Sequence, residues 1–337
     1  MTTTVPLAAP PLPIARTLVT GSGATVSYRQ LGDPSSGLPG LIWVHGGLED
    51  WHSHLELAQA LSSLYLVYLP DRRGRGLSSA YSSGSSVAGQ VADLAALAHA
   101  TGARLAGGTS AGAIIILETL LAHPALFDRV AVFEPPLGAD LKKIETVLPL
   151  CDDQLARGDV AGALITAFSL MELGPPLVLW APYWVGRPFV SCIMAMEEKW
   201  RRKEREQERE ASASASGQDR KTEQVEDKEP LPSMRNLTPT LPYEFRLVLE
   251  VGSRSIQAFA AIKDSASKLL ILSGTATRPY LIKSCEDLAK VLPGIPHVRL
   301  PGLDHLGTGN GWTGGQPDMV AQVLTEFFTD TGRFGSE

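Results

Sequence analysis

A serine and a histidine each sit in a short run bracketed by glycines, GTSAG over Gly108–Gly112 and GLDHLG over Gly302–Gly307. GTSAG fits G-x-S-x-G, a weak signal alone because glycine and serine are common. Its context strengthens it: the strand-like ARLAGG precedes it and the apolar AGAIIILETLLAH follows it. That is the setting of a nucleophile elbow, a strained strand-to-helix turn that lifts the serine hydroxyl clear of the backbone. Side chains at Gly108 or Gly112 would then collide with the neighbouring strand and helix. The helix that starts here directs its positive end at Ser110 and favours negative charge developing there. The plainer reading is an ordinary Gly/Ser strand-to-helix turn.

Serine at its normal pKa is a poor nucleophile and needs a base beside it. His305 is the candidate, because a loop after the last strand can return to the elbow from the far end of the sequence. His52 and His54 lie in the region after HGG, His99 and His123 fall on helices, and His297 opens a strand. A lone histidine is more often structural, but only His305 has this combination of element, order and glycine-flanked loop. HGG over His45–Gly47 ends another strand. The N–H groups of Gly47 and Ala111 could together hold the oxyanion of a tetrahedral intermediate, glycine letting the backbone come close to substrate. Taken alone, HGG also reads as a simple strand-ending turn. His45 reads as a loop-shaping hydrogen-bonder.

These groups must be carried by something rigid. GLIWVHGG (Gly40–Gly47) and LYLVYLPDRRGRG (Leu64–Gly76) are continuous apolar runs that end in polar, glycine-rich loops, as expected of parallel strands buried on both faces. ATVSYRQL (Ala24–Leu31) alternates partly, as a half-exposed strand does. Val87–Ala100 has helical spacing, and RVAVFEPP (Arg129–Pro136) is the next strand. Strand–helix alternation pauses after Pro136 and resumes with KLLILSG, a helix over Leu281–Val291, HVRLPG, and a last helix over Pro317–Phe328. The pattern predicts an α/β fold with a mostly parallel, doubly wound sheet, whose ligands bind at the C-terminal strand ends.

The segments divide as follows. Residues 1–20 read as a mobile tail, 21–136 and 246–337 as the core, and 137–245 as a cap insertion. Within the insertion, EEKWRRKEREQERE suits a solvated helix with i,i+4 pairs. The low-complexity run after it cannot bury much apolar surface, so the charged segment 197–230 is expected to be disordered, at least beyond that helix. Phe168, Met171, Trp180, Tyr183, Trp184, Phe189 and Met194 suit an apolar pocket; the same residues also suit the cap's own core. Trp180, Tyr183 and Trp184 are taken as the substrate-facing candidates.

Composition excludes some partners. The chain has 337 residues, 44% hydrophobic and 20% charged, with a net charge of -6, against the basic face of a nucleic-acid binder. Its three cysteines are far apart, which suits buried thiols better than a disulfide framework or a zinc site. The first residues lack a basic stretch before an apolar run. The longest apolar stretch, Leu164–Met196, is cut by four prolines, so it is a poor membrane span. A cytoplasmic protein is expected, with no metal, no cofactor and no membrane insertion.

HGG, DRRGRG, GTSAG, EPP and GLDH, in that order and spacing, resemble the α/β-hydrolase family over essentially the whole chain outside the insertion. The resemblance implies an eight-stranded sheet, a cap after the sixth strand and a Ser–His–acid triad. Ser110, His305, Gly47 and Ala111 match the family positions. The acid departs from the commonest pattern, an Asp after the seventh strand, for here that loop is SGTATRPY, Ser273–Tyr280. Glu286 and Asp287 fall in a helix, and Asp304 is too close to His305 to accept from its Nδ1. Glu134, in FEPP at the end of the sixth strand, is the remaining candidate. Some family members, fungal lactonases of a resorcylic macrolactone among them, draw their acid from this position. Glu134 could instead order loops or pair with an arginine such as Arg72 or Arg73. The arginines of DRRGRG, Asp71–Gly76, read as loop-tying.

The resulting expectation is a serine hydrolase that cleaves a carboxylic ester or lactone of a mid-sized hydrophobic metabolite, with secondary metabolism as the suggested setting, through a Ser–His–Glu triad. Rival readings on the same fold are acyl transfer, C–C bond hydrolysis and a lyase or cyclase step. A small-molecule-binding protein without catalysis ranks below these, since Ser110 and His305 are both present.

Overall fold

In the computed structural model, residues 13–82, 85–172, 182–215 and 233–329 are described. Eight strands form one sheet: β1 (Ala15–Val19), β2 (Thr25–Leu31), β3 (Gly40–Val44), β4 (Leu66–Asp71), β5 (Leu105–Thr109), β6 (Arg129–Phe133), β7 (Leu269–Gly274) and β8 (His297–Leu300). They lie in the order β1-β2-β4-β3-β5-β6-β7-β8. β1, β2 and β4 pair antiparallel, and every pairing from β4 across to β8 is parallel. The central strands β3, β5, β6 and β7 are almost wholly buried. This is why they read as unbroken apolar runs rather than alternating ones.

Helices cover both faces of this sheet. One face carries α1 (Leu55–Leu61) and a C-terminal helix (Pro317–Phe328), and the residues between them form one of the two hydrophobic clusters. The other face carries α2 (Val87–Thr101) and α3 (Ala111–Ala122). Residues Ala111–Leu120 of α3 are all buried, because the helix is covered by α2 and by elements from later in the chain as well as by the sheet. A helix apolar all round is stable only in such a place.

Between β6 and β7 the chain builds α4 (Leu141–Ala156), α5 (Val160–Met171), α6 (Tyr183–Ala215) and α7 (Leu241–Gly252), then a 3-10 stretch over Ile256–Lys268. Two helices follow β7 and β8, α8 (Pro279–Val291) and α9 (Pro317–Phe328), the latter being the C-terminal helix already placed beside α1. The insertion is not a separate globule. Leu241, Phe245, Leu247, Val248 and Val251 of α7 share one cluster with Ile114 and Ile115 of α3. The boundary expected between residues 245 and 246 falls inside this single helix.

Two expectations need correction. Residues 15–19, assigned to a mobile tail, form the edge strand β1, with Ala15 opposite Arg29 and Val19 opposite Thr25. Without β1, one edge of β2 would present unpaired N–H and C=O groups, and the β-branched Thr17 and Val19 suit a strand. Residues 1–12 lie outside the described residues. The expected disorder over 197–230 also starts too early: α6 runs to Ala215, through ASASA, where every second residue is alanine, the strongest helix former. Residues 216–230 lie outside the described residues. Among the described residues, no helix is long and apolar enough to cross a membrane.

Candidate active site

Strand register brings the candidate residues together. Thr109 of β5 pairs with Phe133 of β6, so Ser110 and Glu134 are the first residues beyond two adjacent strand ends. Both take positive φ, 55° at Ser110 and 48° at Glu134, a conformation uncommon outside glycine. Each is pinned by its own N–H: Ser110 donates to Phe133 O at 2.8 Å, and Glu134 to Leu272 O at 3.1 Å. Ser110 occupies the N-cap of α3, yet its hydroxyl makes no capping bond. The glycines around it are sterically required. A Cβ on Gly112 would stand 2.6 Å from His45 O, and one on Gly108 would stand 2.9 Å from Val44 O.

The Glu134 carboxylate is fully buried and accepts three hydrogen bonds. Gly274 N–H donates to Oε1 at 2.8 Å, Thr277 Oγ1 donates to Oε2 at 2.8 Å, and His305 Nδ1 donates to Oε2 at 2.7 Å. The loop after β7 thus holds the carboxylate rather than supplying one. It also anchors the loop bearing His305, with Thr275 N–H donating to Leu300 O at 3.0 Å and Ala276 N–H to Leu303 O at 2.9 Å. Because Nδ1 faces a carboxylate, it carries the proton and Nε2 keeps its lone pair, the tautomer a general base needs. Of the alternatives weighed for Glu134, the arginine pairing does not occur: Arg73 binds Asp93 and Arg72 binds Glu244.

Gly46, in the HGG turn, donates its N–H to Glu49 Oε2 at 2.6 Å. The N–H groups of Gly47 and of Ala111, at the start of α3, donate to no described group. These two are the donors the sequence singled out. His45 shapes the turn, with Nδ1 donating to Gly46 O at 2.9 Å and Nε2 accepting from Arg72 N–H at 3.0 Å. Burial pushes its pKa well below the usual histidine value, and the Arg75 and Arg72 charges add to that, in keeping with a neutral ring.

Two buried clusters behind the site had no sequence signal. Glu244 of α7 receives Arg72 at 2.9 Å and Arg75 at 2.6 Å, and Tyr81 OH donates to it at 3.3 Å. Its Cγ lies 3.3 Å from where a Gly47 Cβ would be, so the insertion is bolted to the HGG turn through this carboxylate. Glu49 and His54 form the second cluster, with Nε2 3.2 Å from Oε2. In the first cluster the partners come from separate elements; in the second, Glu49 and His54 are five residues apart and it is Thr308, after β8, that reaches His54 from far along the chain.

Loss of Glu244 is expected to be costly. Glu244→Ala leaves two buried guanidinium groups without their carboxylate, and removing one member of a buried pair destabilises by about 3–5 kcal/mol. Urea denaturation should show the midpoint falling accordingly. Burial alone would raise the Glu244 pKa, but Arg72 and Arg75 outweigh it and hold the carboxyl below its ordinary value. A depressed carboxylate stabilises the fold above its unfolded pKa and ceases to do so as pH falls through the folded one. The gap between wild type and Glu244→Ala should therefore narrow in acid.

Two of the three aromatic candidates, Tyr183 and Trp184, lie elsewhere. Tyr183 OH donates to Asp159 Oδ2 at 2.5 Å, and Asp159 also binds Arg187. Trp184 is 77% exposed, and Trp180 lies outside the described residues. No described hydrogen bond or ring contact joins Tyr183 or Trp184 to Ser110, His305 or Glu134. They belong to the surface of the insertion, where the start of α6 turns them.

Compared with known proteins, residues 41–323 match the model of the alpha/beta hydrolase family. No curated protein matches the chain. Among solved structures, an alpha/beta hydrolase from Sphaerobacter thermophilus superposes with a TM-score of 0.62 at 23% identity, covering 93% of this chain and 100% of the other. An esterase from Thermogutta terrifontis gives 0.57 at 17% identity, covering 94% and 98%. An enol-lactonase from Burkholderia xenovorans gives 0.59 at 16% identity, covering 93% and 100%.

Proposed function

This chain belongs to the alpha/beta hydrolase family, and on that premise we propose that it is a serine hydrolase acting on a carboxylic ester or lactone through Ser110, His305 and Glu134. The observation that carries the reading is the 2.7 Å contact from His305 Nδ1 to a fully buried Glu134, made beside a serine held at positive φ at the head of α3. That pairing supports reading His305 as the base and Glu134 as its acid, with Ser110, beyond the strand end next to that of Glu134, as the nucleophile.

In this mechanism His305 Nε2 takes the Ser110 proton as Oγ attacks the carbonyl. The N–H groups of Gly47 and Ala111 hold the oxyanion, with the positive end of α3 behind it. The imidazolium, stabilised by Glu134, gives its proton to the leaving alkoxide. Water, deprotonated by the same ring, attacks the acyl-enzyme and restores Ser110. The substrate we infer is a mid-sized hydrophobic molecule, since the insertion between β6 and β7 is rich in apolar residues. That insertion is read as the cap that selects it.

The experiment is an ester and lactone panel run in ¹⁸O-labelled water, with and without an added alcohol acceptor. One heavy oxygen in the released acid, undiminished by the acceptor, is the expected result. Exclusive transfer of the acyl group to the acceptor with no free acid released, or turnover with no oxygen incorporated, would rule out hydrolysis.

A further inference from the structure

His54 is buried and both its ring nitrogens face oxygens. Nδ1 lies 3.0 Å from Thr308 O, which can only accept. Nε2 lies 3.2 Å from Glu49 Oε2, which also accepts Gly46 N–H. Nδ1 must therefore carry a hydrogen, and a second is needed between Nε2 and Oε2. An imidazolium facing a carboxylate supplies both. The residues this pair touches are neighbours of those that carry the proposed chemistry. Gly46 precedes Gly47 in the HGG turn. Thr308 follows His305 by three positions, and its hydroxyl lies 2.7 Å from that of Thr109, the residue before Ser110. One partly buried pair thus links the oxyanion turn to the histidine loop, and through Thr308 to the nucleophile turn.

We propose that Glu49 and His54 are positioning residues, a partly buried carboxylate–imidazolium pair that holds the oxyanion turn, so that Ser110 is fully reactive only while His54 is doubly protonated. The inference rests on the serine-hydrolase reading above. When His54 loses its Nε2 proton, a lone pair faces the Glu49 carboxylate, Glu49 is repelled, and Gly46 N–H loses its acceptor. Gly47 then shifts with its neighbour, and loss of one oxyanion donor lowers rate by about 10²–10³.

Other charges face the pair. Asp50 lies on the same loop, and its side chain accepts from His52 N–H. Arg75 donates through Nε to Glu49 O at 3.3 Å, while Arg75 and Arg72 are themselves paired with Glu244. His45, at the end of β3, is neutral, and the edge of the Trp43 ring lies against His54. Glu56 of α1 accepts from Gly311 N–H, and His305 acts on Glu49 from the loop after β8. Burial by itself would lower the His54 pKa, but the Glu49 carboxylate prevails and raises it. The pair thus holds its proton to a higher pH than an ordinary histidine would.

The test uses two readouts on the full chain. The first is the rate of Ser110 labelling by a fluorophosphonate from pH 5 to 10. Wild type should lose labelling rate along an alkaline limb as His54 gives up its Nε2 proton. Glu49→Gln should label about 10-fold to 100-fold more slowly, within the range for a disturbed oxyanion donor, and should lack the alkaline limb. Glu49→Asp, which keeps the charge, should retain it. The second readout is the ¹⁵N shifts of His54 in histidine-labelled protein, assigned with His54→Gln. Two protonated nitrogens at neutral pH are expected, reverting to one in Glu49→Gln. A labelling profile that rises once and stays flat, an alkaline limb that survives Glu49→Gln, or a neutral His54 at pH 7 would each overturn the inference while leaving the hydrolase reading in place. A wild type that labels at no pH would remove the hydrolase reading and the positioning role together, with the nitrogen shifts still deciding the state of the pair.

Discussion

Ser110→Ala should abolish labelling by a fluorophosphonate and lower ester turnover by about 10⁶, the scale on which loss of a nucleophile from such a triad acts. The substitution isolates chemistry from folding. Alanine removes only the hydroxyl, and that hydroxyl caps nothing. The strained backbone at Ser110 is held by its N–H bond to Phe133 O and by the glycines on either side, none of which alanine alters. Thermal and urea midpoints should therefore stay close to wild type. Intact mass reads the result directly: one phosphonyl adduct on wild type and none on the variant. His305→Ala should fall by a similar factor, and the double variant no further, because groups that act as a unit are not additive. An adduct retained on Ser110→Ala would mean that another residue is the nucleophile.

Much of the fold could be read from the chain for one physical reason. Parallel strands covered on both faces must be apolar throughout, and the loops at their C-terminal ends must turn sharply, so LIWVHGG and ARLAGGTS announce strand, end and turn in a few residues. The same logic picked out Ser110, Gly47 and His305 as candidates, each in the loop after a strand. Glu134 was accessible through an absence, since the loop after β7 carries no carboxylate. Edges and partners were harder. β1 is a short strand whose side chains face mostly outward, so its only strong interaction is backbone pairing with β2, which leaves no periodic trace. The reach of α6 past the charged run was hidden by the low complexity of ASASA, which composition reads as disorder although alanine favours helix. Glu244 and the Thr308 contact of His54 were missed because these partners are set by topology, Arg72 meeting Glu244 across a separation of 172 residues and His54 meeting Thr308 across 254, while the Glu49–His54 pair, five residues apart, follows no helix or strand spacing.

Glu134→Gln separates the two roles open to that carboxylate. If Glu134 merely ordered loops, a glutamine of equal size would serve nearly as well. Its amide oxygen can replace Oε1 and accept Gly274 N–H, and its NH₂ can point towards Thr277, whose hydroxyl can turn from donor to acceptor. The fold should therefore survive, with circular dichroism unchanged. His305 cannot adapt in the same way. With an NH₂ group where Oε2 stood, Nδ1 must present its lone pair, which moves the ring proton to Nε2, the atom that has to receive the proton of Ser110. The developing imidazolium also loses its only described carboxylate contact. Trapping a triad histidine in the wrong tautomer lowers rate by about 10⁴. We expect labelling of Ser110 to slow by that order. Labelling of a folded Glu134→Gln at a rate within about tenfold of wild type would show that the acid is not Glu134, and would return the carboxylate to a loop-ordering role served by Gly274 and Thr277.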